Sequence, residues 1–236
     1  MKLHFFPASN PNKTGVLVVP GGGYEFISME KEGTEPAAWL NERGYDAWIL
    51  EYTTAARDTP PPIYPKPMEE AREAIRQIRA QQRVSKLGIW GWSAGGHLSA
   101  VCLTDPEPAL ALDFGILAYP VISMEPGTTH AGSLANLLGG GGGDDDDDAH
   151  RRRRRLLLSA ETRVSDRTPP VFLFHTADDA LVPVRNSLLF AAQMARRARP
   201  FEILVLPSGP HGVGLALGDP KTSWTAELER WLRESV

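Results

Sequence analysis

Six short apolar runs separated by longer amphipathic segments predict an α/β fold with a mostly parallel, doubly wound sheet and helices on both faces. Most of the runs are near-continuous in apolar residues, as strands buried on both faces require. Right-handed crossovers between parallel strands then leave an open sheet as the topology. Of the 236 residues, 42% are hydrophobic and 23% charged, which is too apolar for disorder over most of the chain. A chain of this length is expected to form a single domain, residues 1–236, whose core needs no disulfide or metal staple.

The strands are expected at residues 15–20 (GVLVVP), 46–52 (DAWILEY), 86–91 (KLGIWG), 114–121 (FGILAYPV), 170–175 (PVFLFH) and 201–207 (FEILVLP), with residues 2–7 as an added edge strand. Between the first two, residues 34–43 place Ala37, Ala38 and Leu40 on one side, and Gly44 stands where a helix C-cap falls. Residues 67–82 carry Met68, Ala71, Ala74, Ile75 and Ile78 at three- and four-residue steps, a helical stripe. Residues 94–103 form a short helix rich in small side chains. The segments 184–198 and 222–233 are amphipathic, and Pro183 lies near the first turn of the former.

Residues 139–158 are a low-complexity insert: five glycines (139–143), five aspartates (144–148), five arginines (151–155) and three leucines. The two charge runs cancel, so the insert reads as a glycine loop leading into a surface helix, with no polybasic patch. In a helix, Asp147 would face Arg151 and Asp148 would face Arg152, with the acids at the favourable N-terminal end. Nothing spaces the aspartates as an oxygen cage for calcium. The segment between Val121 and Pro169 is too short for a large lid over the sheet, so any lid is expected to be minimal.

The charge sum, 25 − 29 = −4, gives no reason to expect nucleic acid or an acidic membrane as partner. Cys102 is the only cysteine, which excludes a disulfide framework and multi-cysteine zinc sites. No apolar run reaches transmembrane length. The start, MKLHFFPASNPN, lacks the pattern of a signal peptide, so the chain as given is expected to be cytoplasmic. A secreted form trimmed of its leader would have the same sequence.

The chemistry starts at Gly91-Trp92-Ser93-Ala94-Gly95, a G-x-S-x-G pentapeptide between a strand and a helix. That context is a sharp turn that projects a serine above the sheet over a helix N-terminus, the setting of a nucleophile. A serine hydroxyl needs a base held by a third group. In such folds the order is serine, acid, histidine, so among the six histidines His211 fits, in Ser208-Gly209-Pro210-His211-Gly212 after the last strand. His175 precedes the acid candidates and reads as packing. His97 reads as a brace of the serine turn, and His4, His130 and His150 as solvated terminal or loop residues. The acid is expected after the penultimate strand. Asp179 is chosen over Asp178 because Ala180 and Leu181 separate it from Val182-Pro183, the acid's spacing in such loops; Asp178 then caps or braces. The glycines of Val19-Pro20-Gly21-Gly22-Gly23-Tyr24 let main chain approach a substrate closely. They point to an oxyanion hole with one N–H from Ala94 and another from Gly22 or Gly23, with Tyr24 as the alternative. A phosphate loop is a poor rival, since neither G-K-[ST] nor G-x-G-x-x-G follows.

The stretches PGGGYEFISMEKEG, AAWLNERGYDAWILEY, YPKPMEEAREAIRQIR, GIWGWSAGGHLSA, TPPVFLFHTADDALVPV and GPHGVGLA, in that order, resemble the α/β-hydrolase esterases grouped around acetylxylan and feruloyl esterase activity, relatives of the lipase/esterase class with an HGGG loop. The resemblance implies Ser93 as nucleophile, Asp179 as acid, His211 as base, and Gly22, Gly23 and Ala94 as the oxyanion hole. It implies a small-molecule ester as partner, an acetylated or feruloylated carbohydrate among the candidates, with no metal or organic cofactor. The loop opens with Pro20 where many relatives have histidine, which changes the brace behind the hole but not its N–H donors. Tyr24, Glu30, Tyr64 and Trp92 are the expected pocket-lining residues. An amidase or peptidase such as an aryl formamidase shares the same motifs, and a non-catalytic or designed scaffold of this fold is the remaining reading.

Overall fold

A seven-stranded sheet in the order β1-β3-β2-β4-β5-β6-β7 organises the chain. The computed structural model describes residues 1–55, 59–139 and 148–236, with the side chain of Asp148 left out. The strands are β1 (Lys2–Phe6), β2 (Thr14–Val19), β3 (Asp46–Glu51), β4 (Lys86–Trp92), β5 (Phe114–Ala118), β6 (Val171–Thr176) and β7 (Phe201–Leu206). β1 runs antiparallel to β3, with Lys2 opposite Glu51, and every other neighbour pair is parallel. The chain winds outward from β2 to β3, returns past β2 to β4, and continues to β7. Direction therefore reverses between β2 and β4, and crevices at the carboxyl ends of strands at such a reversal are where open α/β sheets bind ligands.

Helices cover both faces. On one, α1 (Glu35–Glu42) and α7 (Thr225–Ser235) bury Trp39, Leu40, Leu228 and Trp231 against Val16, Val18 and Ile116. On the other, α2 (Lys66–Ala80), α3 (Ser93–Leu103) and α6 (Arg185–Arg196) bury Met68, Ile75, Leu98, Phe190 and Met194 against Leu17, Ile89 and Leu173. The alternation within β2 and β4 is the pleat: successive side chains enter opposite cores, so both must be apolar. Trp90 and Trp92 sit two apart on β4 and share the α7 face, their rings stacked with centroids 4.9 Å apart. Trp224 crosses both edge-on and lies parallel to Phe174 at 4.4 Å. Burying such side chains stabilises the fold by about 1.5–3 kcal/mol each.

Three elements differ from the sequence expectation. The helix expected at 34–43 is preceded by a π-helical turn, Glu30–Thr34, and α1 proper starts at Glu35. The last helix starts at Thr225 because Trp224 turns into the core ahead of it. The segment after β5 holds two helices, α4 (Ala131–Leu138) and α5 (Asp148–Leu158), of which α4 was not expected. In α5, Leu158 is buried while Leu156 and Leu157 are exposed. Residues 140–147 of the glycine and aspartate runs, and the expected pairs Asp147–Arg151 and Asp148–Arg152, lie outside the described residues. Among the described residues, no helix is long and apolar enough to cross a membrane.

Candidate active site

Ser93 begins α3 immediately after β4 with φ +50°, the left-handed region that side-chain-bearing residues seldom enter. The turn is held from both flanks. A Cβ on Gly95 would stand 2.1 Å from the Val19 carbonyl oxygen, and one on Gly91 would stand 2.3 Å from Ser99 Oγ. Strain of this kind persists only where the surroundings over-determine it, and it collects at functional sites. Ala94, second in the helix, has one of the N–H groups that α3 cannot satisfy internally.

His211 follows β7 and Asp179 follows β6, adjacent parallel strands, so both loops open at the same sheet edge as Ser93. His211 Nδ1 lies 2.7 Å from Asp179 Oδ2, and His211 Nε2 lies 2.9 Å from Ser93 Oγ. A carboxylate accepts, so Nδ1 donates to it, and Nε2 is left to accept from the serine hydroxyl. The other Asp179 oxygen, Oδ1, accepts from the Leu181 and Val182 N–H groups, both at 2.9 Å. Burial acts to raise the Asp179 pKa. Hydrogen bonds from His175 and His211, and the Val182 N–H, outweigh it and hold the carboxyl well below the usual range. Asp178 points elsewhere and accepts the Gly209 N–H at 2.8 Å. His175 is fully buried, with Nδ1 on Ser187 Oγ and Nε2 donating to the Val182 carbonyl.

The glycine loop after β2 lies against this chain of residues. Gly22 and Gly23 have φ +126° and +65° and line the cavity at Ser93. The loop is fixed from behind by Glu32, only 5% exposed. Its Oε2 accepts the Gly21 N–H at 2.9 Å and its Oε1 accepts the Tyr119 hydroxyl at 2.8 Å. Tyr119 Oη in turn accepts the Gly214 N–H at 3.0 Å, and its ring packs edge-on against His211. One carboxylate thus joins the glycine loop to the histidine loop. Burial raises the Glu32 pKa, and the bonds from Tyr119 and Gly21 offset only part of that rise. Tyr52 also donates to the Pro20 carbonyl at 2.8 Å, and Asn136 of α4 donates to the Gly23 carbonyl at 2.9 Å.

Four expected pocket residues are placed elsewhere. Tyr24 is fully buried, its hydroxyl on His97 Nδ1 at 2.7 Å. Trp92 is fully buried in the tryptophan stack, because the pleat turns it away from the serine that follows. Glu30 is exposed, and Tyr64 does not reach the cavity. The cavity measures about 250 Å³, below the roughly 300–1,000 Å³ of pockets for drug-sized ligands. Besides Ser93, His211 and the glycines, its walls include Phe26, Leu181, Lys31, Glu32 and His130. Phe26 and Leu181 form an exposed apolar rim. His130, expected from the sequence as a solvated loop residue, instead stands half-buried in the cavity wall, because it caps the helix that starts at Ala131. Glu32 carries no signal in the sequence: the π-helical turn brings it inward, whereas Glu30, the expected lining residue, faces solvent.

A serine turn after a central strand, with histidine and aspartate delivered by the last two strands of a parallel sheet, is the architecture of the α/β-hydrolases, and this chain has that fold. The crystal structure of an acetyl ester-xyloside bifunctional hydrolase from Caldicellulosiruptor lactoaceticus superposes with a TM-score of 0.82 at 33% identity, covering 99% of this chain and 88% of that one. Within the class, the chain belongs to the prolyl oligopeptidase family, which matches residues 66–236. An acetylxylan esterase of Xylanibacter ruminicola is 32% identical over 216 residues, covering 89% of this chain and 43% of that protein. Endo-1,4-beta-xylanase B of Butyrivibrio fibrisolvens is 34% identical over 226 residues, with 89% and 34% covered. The chain therefore spans less than half the length of either of these two relatives.

Proposed function

We propose that this chain is a serine carboxylesterase that hydrolyses short acyl esters, with acetyl groups on sugars or xylan fragments as the substrate class. The observation that carries the reading is the hydrogen-bonded run Ser93–His211–Asp179 opening into a cavity of about 250 Å³. Ser93 Oγ attacks the ester carbonyl carbon while His211 Nε2 takes the hydroxyl proton. Asp179 holds the Nδ1–H and stabilises the imidazolium as it forms. The oxyanion rests against the N–H groups of Ala94 and of Gly22 or Gly23, which stand ready before charge develops. Collapse of the intermediate breaks the ester bond, His211 returns the proton to the departing alcohol, and an acyl group stays on Ser93. Water then repeats the sequence and releases the acid.

The names of the Xylanibacter and Caldicellulosiruptor proteins, acetylxylan esterase and acetyl ester-xyloside hydrolase, favour acetyl as the acyl group. The rim supports a carbohydrate alcohol: Phe26 offers an apolar platform, and Lys31 and His130 offer donors. The test is hydrolysis of p-nitrophenyl acetate, butyrate and octanoate by wild type and Ser93→Ala, followed by acetylated xylo-oligosaccharides. We predict activity that falls with chain length and drops at least about 10⁴-fold in Ser93→Ala. Because the family is that of prolyl oligopeptidase, proline-containing anilides belong in the same experiment. Serine-dependent cleavage of the anilide with none of the esters would replace the esterase reading with a peptidase one.

A further inference from the structure

His130 ends the segment that leads from β5 into α4 and is the N-cap of that helix. The Ser133 backbone N–H donates to its Nδ1 at 3.2 Å, and Ser133 Oγ lies 2.9 Å from the same atom. A backbone N–H can only donate, so Nδ1 carries no proton, and in the neutral ring the proton sits on Nε2. The cap thereby selects the tautomer. Among the described residues no acceptor meets that Nε2–H. The ring lines the cavity together with Ser93, Gly23 and His211, and its Cε1 lies 3.6 Å from where a Cβ on Gly23 would stand. Burial first, and then the neighbouring His211, lower the pKa of His130, which keeps the ring neutral and the cap intact at neutral pH.

We infer that His130 is a substrate-binding residue that donates from Nε2 to an oxygen of the alcohol part of the ester, a hydroxyl or ring oxygen where that alcohol is a sugar. The inference rests on the esterase reading above. The choice of the alcohol follows from oxygen counting. An acetyl group has one oxygen outside the ester link, its carbonyl, and that oxygen is taken by the Ala94 and glycine-loop N–H groups. A further donor in the cavity finds an acceptor only on the alcohol. His130 thus separates hydroxyl-bearing alcohols from bare ones, and a site that leaves such a donor unpaired disfavours the analogue lacking the acceptor.

The experiment compares kcat/KM for phenyl acetate, whose alcohol has no second oxygen, with that for a monoacetylated methyl xyloside. The variants are His130→Leu and His130→Ser. Serine is a good N-cap but too short to reach the cavity, so it separates the loss of the donor from the loss of the cap. The expected result is a loss at least about tenfold greater on the xyloside than on phenyl acetate in both variants, carried mainly by KM, with His130→Ser unfolding at close to the wild-type temperature. Equal losses on the two esters, an unchanged ratio in His130→Ser, or a wild type that cleaves phenyl acetate but not the xyloside would each overturn the assignment. If neither ester is cleaved in a Ser93-dependent manner, the esterase reading itself fails and the role of His130 with it.

Discussion

Asp178 and Asp179 are neighbours in sequence with different work to do. Asp179 is buried and engages two histidines and two backbone N–H groups, whereas Asp178 sits at the surface on Gly209. We predict that Asp179→Asn lowers kcat on p-nitrophenyl acetate by roughly 10³–10⁴-fold, because an amide there favours the wrong histidine tautomer. Asp178→Asn should cost only a few-fold; the reverse ranking would exchange their roles. That Ser93, His211 and Asp179 meet could be read from the sequence, because each lies a few residues beyond the end of an apolar strand. Glu32 was not, since its inward direction depends on a π-helical turn that no 3.6-residue period reveals. Its replacement by glutamine keeps an acceptor for the Gly21 N–H but leaves the Tyr119 hydroxyl proton without one. We predict a stability loss of about 1–3 kcal/mol by urea denaturation and a fall in kcat of about tenfold on all esters alike. An unchanged kcat would mean that the two loops keep their places without this link.

At the scale of elements, the contact between the start of α3 and the end of β2 constrains the site closely. Gly95 lets the helix backbone press against the Val19 and Pro20 carbonyls, which sets the distance between the serine and the glycine loop. Gly95→Ala inserts a methyl group where backbone, not a flexible side chain, stands in the way. We predict a destabilisation above the roughly 1–3 kcal/mol usual for overpacking, read as a large drop in melting temperature or loss of soluble protein. Gly127→Ala, at φ +81° with nothing within 4 Å, isolates the cost of a left-handed conformation without a clash and should lose roughly 1–2 kcal/mol. Strands could be read in the sequence because burial on both faces writes an unbroken apolar run. α4 could not, because only two of its residues are buried and its helical stripe is short. It nevertheless carries His130 and, through Asn136, steadies Gly23.

For the whole molecule, the balance of buried titratable groups sets the response to acid. His97 is fully buried between Tyr24 and the Leu158 carbonyl, and burial lowers its pKa from 6.5 to about 4. The unfolded chain takes up this proton more readily than the native one. The stability that neutral His97 represents is complete above pH 6.5 and is lost as pH falls from 6.5 to about 4. Asp179, held below its ordinary value, adds a further loss at lower pH. Glu32 acts in the opposite sense, since its raised pKa favours the folded state as it protonates. We predict that between pH 7 and pH 4 the wild type loses roughly 3 kcal/mol more unfolding free energy than His97→Gln, measured by urea titration. Equal losses would show that the ring is solvated on acidification.

The stack of Trp90 and Trp92, crossed by Trp224, ends one residue before Ser93. Indoles this close and this nearly parallel couple their electronic transitions, so the molecule carries an optical gauge beside Ser93. On the esterase reading proposed above, acylation that shifts the serine turn by a fraction of an ångström would alter the exciton signal in circular dichroism and the shared tryptophan emission. On that reading each turnover could be followed by light from the unlabelled protein, whose six tryptophans are all buried.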